Sequence, residues 1–363
     1  MRVNLPLYGN KTNDNTRKFR DFLMDSRITK SRLSRVLSYD WLKIIAIIVA
    51  IIFVWSLAFT TCAPRISVGQ KFDLFVYDSD FTTATNESDM LSDAKNKNVF
   101  SYDVLDFGSR QFTEDYFNTL MSAITTTGEG DIMVISDFES DISGNKSKFR
   151  SLIDGYGYCF YDLKSFVEAA KEYCILNHRF ITQNGENYVL NEEVISDYFK
   201  NRMAKDPRFK TDEKIQAGIK NEIERIKNVW NNALLLEDLL DSRPEIFVKY
   251  KKYSQSLALA ETDRDKEYYN GLLEKEDEKY YGIDLGKLTG GEKDITSAYV
   301  KTVYKQKEDG SYEIVSSSAS GIVMCAFDYS NMQPDLQFES ISFIIYIVKT
   351  YSNFIGSPKG LIA

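Results

Sequence analysis

Residues Ile44 to Ala63 run for twenty positions without a charge, IIAIIVAIIFVWSLAFTTCA. A helix rising about 1.5 Å per residue covers about 30 Å over that length, the thickness of a bilayer's hydrocarbon core. Its apolar side chains fall on every face, which leaves no polar stripe for the surface of a water-soluble fold. Trp41 and Trp55 stand where interfacial anchors belong, and Pro64-Arg65 supplies a stop. The sequence therefore predicts one transmembrane helix, with the lipid bilayer as its partner.

Charge sets the orientation. Residues 1–43 hold ten Lys and Arg against four Asp, whereas the remaining 320 residues are acidic enough to bring the whole chain to −8. Basic residues beside a first membrane helix stay in the cytoplasm, so residues 1–43 are expected inside and 64–363 outside, in a single-pass cell-membrane protein. A cleaved signal peptide has an apolar stretch of about 7–15 residues behind a short leader. This run is longer, its leader has 43 residues, and Phe59-Thr60-Thr61 lacks the small residue a lipidated Cys62 would need. An uncleaved anchor is the consistent reading. Residues 13–40 read as short basic helices that lie on anionic headgroups or dock a partner protein.

The acidic balance argues against nucleic acid as a partner, because phosphate backbones demand basic surface. One histidine excludes any mechanism that needs several imidazoles in one chain. Cys159, Cys174 and Cys325 are too few for a disulfide scaffold and show no CxxC spacing for zinc. Cys159 and Cys174 are read either as a bridge or as buried thiols, the helical stripe around Cys174 favouring thiols.

Beyond the anchor, Phe72–Tyr77 reads as a first strand, residues 83–96 as helix or loop, and Val99–Phe107 as a second strand. Phe112, Tyr116, Phe117, Leu120, Met121 and Ile124 recur at helical spacing with Thr113 as N-cap, and Asp131–Ser136 (DIMVIS) suits a strand buried on both faces. Helices are expected over 163–176 and 192–203, and a long one from Glu213 to Ser242, stopped before Pro244, with Ile215, Ile219, Ile223, Ile226, Trp230 and Ala233 as its stripe. The pairs Glu222/Arg225 and Glu224/Lys227 are assigned to its exposed face. Helical, charged sequence continues to about Lys279. Tyr281–Leu285, a hairpin around Asp309-Gly310, the strand Gly321–Phe327 and a core helix over Phe338–Phe354 complete the series.

The fold class is α/β: an open-sheet ectodomain behind a transmembrane helix. The domain reading is a basic cytoplasmic segment (1–43), a transmembrane helix (44–63) and an ectodomain (64–363). Within the ectodomain, residues 64–186 and 280–363 form an α/β lobe and 187–279 a large helical insert. The strand Phe72–Tyr77, the segments Phe100–Leu105, Gly128–Ile135, Tyr281–Leu285 and Asp335–Glu339, and the terminal helix resemble, in this order, solute-binding proteins of the type 2 periplasmic-binding fold. The nearer resemblance is to membrane-anchored relatives in Gram-positive bacteria. It implies capture of a solute, a saccharide or a peptide, near a transporter. The insert departs from it, standing where that family crosses between lobes.

In open α/β sheets ligands bind beyond the carboxyl ends of the strands. That nominates Tyr77, Asp78 and Asp80 after the first strand, and Asp137, Phe138 and Glu139 after DIMVIS, an aromatic platform beside carboxylates of the kind sugars use. Trp230 is either a further platform or the continuation of the long helix's stripe. Asp263, Asp265, Glu267 and Glu274 mimic a calcium loop, but Tyr268 stands where the turn demands glycine, so a solvated helix is expected. The loop Gly282–Gly291 lacks the spacing and the Ser/Thr of a phosphate loop. His178 reads as a solvent-facing helix end with no nucleophile elbow near it. No metal, cofactor or catalytic set is expected, and the chain is read as a non-enzyme. The second reading is a ligand-free structural or signalling subunit acting through protein contacts.

Overall fold

The computed structural model describes residues 41–62, 70–77, 82–83, 87–97, 99–100, 104–112, 116–136, 148–185, 187–307, 310–328 and 338–362. The chain divides into two units, Met1–Arg65 and Ile66–Ala363. In the first, helix α1 (Trp41–Cys62) exposes every described side chain from Ile45 to Leu57, with Ile51 to Trp55 each at 60 % or more. Among the described residues no helix is long and apolar enough to cross a membrane. The span expected over Ile44–Ala63 reaches past the side chains described along α1, which run from 43 to 57 besides Trp41.

The second unit opens with β1 (Lys71–Tyr77), β2 (Thr82–Thr83), α2 (Glu87–Asn96), β3 (Asp106–Phe112), α3 (Phe117–Thr127) and β4 (Ile132–Ser136). There follow α4 (Lys148–Tyr156), α5 (Leu163–Glu172), the hairpin β5 (Ile181–Asn184) and β6 (Asn187–Leu190), α6 (Glu192–Met203) and the long α7 (Asp212–Ser242). The chain ends through β7 (Phe247–Tyr250), α8 (Lys252–Ala258), α9 (Asp263–Leu273), β8 (Lys279–Asp284), β9 (Tyr299–Gln306), β10 (Tyr312–Ser318), β11 (Ile322–Ala326) and α10 (Glu339–Tyr351).

Six strands form one mixed sheet in the order β3-β1-β4-β11-β8-β7. β1 runs parallel to both β3 and β4, while β11 lies antiparallel between β4 and β8. The runs IMVIS and IVMCA are buried at every position, as strands covered on both faces must be. Alternate residues of β1 divide between two cores: Phe72, Leu74 and Val76 meet α2, α5, α7 and α10, and Phe75 and Tyr77 meet α3 and α4. The helices after β1 and β3 thus cover opposite faces, which makes the order reverse at β1, a topological switch point.

Two helices are nearly surrounded. α10 buries every residue except Lys349. α7 buries Ile219, Ile226, Trp230 and all of Leu234, Leu235, Leu236, Leu239 and Leu240, so its stripe is covered within the unit. At roughly 1.5–3 kcal/mol per fully buried large apolar side chain, this pair is a main source of cohesion.

Several expectations need correction. The second strand begins at Asp106, not Val99. Leu105 N–H donates to the Gln70 carbonyl, the register then pairs Asp73 with Gly108, and a Cβ at 108 would stand 2.3 Å from an Asp73 carboxylate oxygen. Phe112 closes that strand instead of opening a helix, and the expected N-cap Thr113 lies outside the described residues. Residues 187–279 are not purely helical, because Phe247–Tyr250 after Pro244 joins the main sheet beside β8. His178 is half-buried against rings, stacking on Phe180 at 4.8 Å and meeting Tyr198 edge-on at 4.9 Å, so it is only partly solvent-facing. The Glu222/Arg225 pair is buried, not exposed. Cys159 and Cys174 are buried thiols, with burial pushing Cys174 up to about 12. The hairpin holds as expected, Gly310 taking φ +82° at its turn between β9 and β10.

Candidate functional site

At the carboxyl end of the parallel strands, the switch point lies between Tyr77 of β1 and Ser136 of β4. The nominated Asp78, Asp80, Asp137, Phe138 and Glu139 fall outside the described residues. Tyr77 is 3 % exposed. Its ring packs 4.6 Å from that of Phe117, with the Lys148 ammonium 5.1 Å above it. Trp230 sits in the opposite core, its indole N–H donating to the Gly360 carbonyl at 2.9 Å and its ring 4.7 Å from Tyr188. The structure therefore does not bring Tyr77 and Trp230 together, and packing takes up both.

The described residues form a concavity elsewhere, beside the amino end of β3. It is a cleft of about 700 Å³ between the end of α2, the segment leading into β3, α7 and the start of α10. Phe100 and Phe107 make one wall. Their rings lie 5.0 Å apart, and Phe100 also meets Phe72 at 4.5 Å and stacks on Phe343 at 5.9 Å. Asn221, Glu224 and Asn228 on α7 make the facing wall, and Lys95 and Lys97 stand at the rim. A smaller hollow of about 280 Å³ adjoins it and shares Lys97, Val99, Asn228 and Ser342.

Arg225 and Glu339 line the cleft although each is almost wholly buried. Arg225 Nε–H donates to Glu222 at 2.9 Å. Burial alone would push the guanidinium down; Glu222, Tyr173 and Glu339 together hold it well above its ordinary value. Behind Glu339 lies Asp131, which ties the sheet to α10. Its carboxylate accepts the Asp73 N–H at 2.9 Å, and its carbonyl accepts Phe327 N–H at 3.0 Å and the Ser340 hydroxyl at 3.2 Å. Burial pushes the Asp131 carboxyl up to about 8, against the pull of the Asp73 N–H. Burial also raises Asp73, with Arg110 and Lys71 opposing it. Among the described residues no group of His, Cys, Asp and Glu side chains could hold a metal ion.

The sequence did carry one signal for the buried pair. Glu222, Arg225, Val229 and Leu236 recur at three-, four- and seven-residue steps beside the stripe named above, so α7 buries a wider face than that stripe. Reading one stripe leaves Glu222 and Arg225 on the wrong side. No such local signal marks Glu339 or Lys95.

Compared with protein-family models, curated proteins and solved structures, the chain matches none.

Proposed function

We propose that this chain is a membrane-tethered binding module, with α1 in the bilayer, residues 1–43 on the cytoplasmic side, and residues 66–363 outside holding a small polar solute near a transporter. The cleft beside β3 carries this reading. Its volume falls within the range of small-molecule sites, and it combines an aromatic wall with a few convergent polar groups. The anchor is supported by the uncharged sequence run Ile44–Ala63 and by the apolar side chains of α1 from Ile45 to Trp55, all of them exposed. Residues 66–363 are one compact unit, so the reading requires no closing of two lobes. The alternative, a ligand-free subunit working through protein contacts, would have drawn on the α7 leucines, and these are buried.

A thermal-shift screen of residues 66–363 against amino acids, short peptides and saccharides tests it. A ligand at a hundred times its dissociation constant stabilises by ~2.7 kcal/mol, which is about 5 °C for a unit of this size. A flat response across all three classes removes the reading.

A further inference from the structure

We infer that the outer edge of β3 pairs antiparallel with β3 of a second copy of this chain, about a two-fold axis at Gly108. Two main sheets then join into one. The inference goes beyond the binding-module reading and does not depend on it.

β3 ends the main sheet on one side, and among the described residues no strand lies beyond it. Asp106, Ser109 and Arg110 are exposed. Apart from the ladder to β1, no backbone hydrogen bond reaches residues 106–110 among the described residues. Such an edge offers a row of backbone donors and acceptors to another strand. The opposite edge, β7, has four residues against seven in β3 and follows closely on Pro244, so β3 is the longer template.

Charges on an edge strand ordinarily keep further strands away; here their spacing selects the one partner they admit. Asp106 and Arg110 stand four residues apart, so with a period of two they project to the same face of the sheet. An antiparallel copy turned about Gly108 sets Asp106 of each chain opposite Arg110 of the other. Residues directly opposed in this way hold their Cβ atoms about 4.5–5.5 Å apart, within reach of an ion pair. One such pair forms on each side of the axis, and at the axis glycine faces glycine with no side chains to collide. An axis at Phe107 would set Arg110 opposite Val104, and one at Ser109 would set Asp106 opposite Phe112. Only Gly108 matches the charges.

Both groups can take up the new contact. Asp106, beside Lys71 in the register, makes no ion pair among the described residues. Arg110 lies 3.6 Å from Glu129 and 3.8 Å from Asp73, too far for hydrogen bonds. On the other face Phe107 comes opposite Ser109 of the second copy. Because Phe107 lines the cleft, the seam runs along the cleft's wall.

The test is disulfide trapping of the full chain in detergent micelles, in a Cys62→Ser background, with Asp106→Cys in one copy and Arg110→Cys in the other. The mixture should give a covalent dimer on a non-reducing gel, since opposed Cα atoms fall within disulfide range and the second Asp106–Arg110 pair stays intact. Neither variant alone should do so, because equivalent residues stand about 13 Å apart across the axis. Sedimentation supplies the second arm. Asp106→Arg and Arg110→Asp should each weaken dimerisation by ~10-fold or more, as both pairs become like-charged, and the two changes together should restore it. A parent that stays monomeric, trapping that is equal in the single variants and the mixture, or a double variant no better than either single one overturns the inference. A dimer that survives both single charge changes places the contact elsewhere and overturns it as well.

Discussion

Replacing Asp131 by asparagine should make the protein more stable at neutral pH, against the usual direction of a substitution at a buried hydrogen-bonded site. An aspartate has an ordinary value of 3.8, and burial in this fold pushes Asp131 up to about 8. Between those two pH values the folded chain keeps a proton that the unfolded chain has released. Stability is then fully present below about pH 4, falls by ~1.4 kcal/mol for each pH unit as pH rises, and levels off above about pH 8. At pH 7 the accumulated penalty has an upper bound of about 4 kcal/mol. Part of the residue's surface reaches solvent, so about half that, ~2 kcal/mol, is the working magnitude. An asparagine carbonyl can still accept the Asp73 N–H and has no proton to take up. Asp131→Asn should therefore match the parent near pH 4 and exceed it by ~2 kcal/mol at pH 7. Asp73, also raised by burial, tilts parent and variant alike. Urea unfolding of residues 66–363 at several pH values, followed through Trp230 fluorescence, gives the comparison. A stability gap that does not change with pH, or a variant weaker than the parent at pH 7, would refute the idea that the fold holds this carboxyl neutral.

Two further outcomes follow from particular contacts. Glu222→Ala should cost roughly 3–5 kcal/mol in the same urea assay, because it leaves the Arg225 charge buried beside fewer anions, while the double change Glu222→Met with Arg225→Met should recover most of that loss. Trp230→Phe removes the donor to the Gly360 carbonyl and should cost about 1 kcal/mol. Limited proteolysis should then cut residues 353–362 faster than in the parent; an unchanged rate would mean that the paired hydrogen bonds between Asn231 and Ile362 hold this segment unaided.

What could be read from the chain and what could not divide along physical lines. α6 matches its expected span, α7 stops before Pro244, and β4 and β11 lie on their apolar runs, since caps, periodicity and proline act locally. β3 escaped because an edge strand exposes much of its length. DFGSRQF carries little apolar pattern, whereas Val99 and Phe100 are apolar and pack on the core without strand geometry. Glu222 and Arg225 look like a surface ion pair in sequence, and only the helices stacked around α7 bury them. The cleft is the least local feature: its walls come from residues near 100, 225 and 340, and no single segment announces it.

The sheet order has a consequence in time. β4 and β8 flank the centre of the sheet, yet neither pairs with the other; β11, residues 322–326, fills the place between them. A chain emerging from its N-terminus presents β4 some 190 residues before that strand exists. Until then the strands destined for the middle have open edges, and the sheet can exist only as two incomplete halves. Contacts separated so widely along the chain close slowly, and open strand edges invite pairing with other chains. The last tenth or so of the polypeptide thus works as a keystone, and the protein spends its synthesis waiting for it.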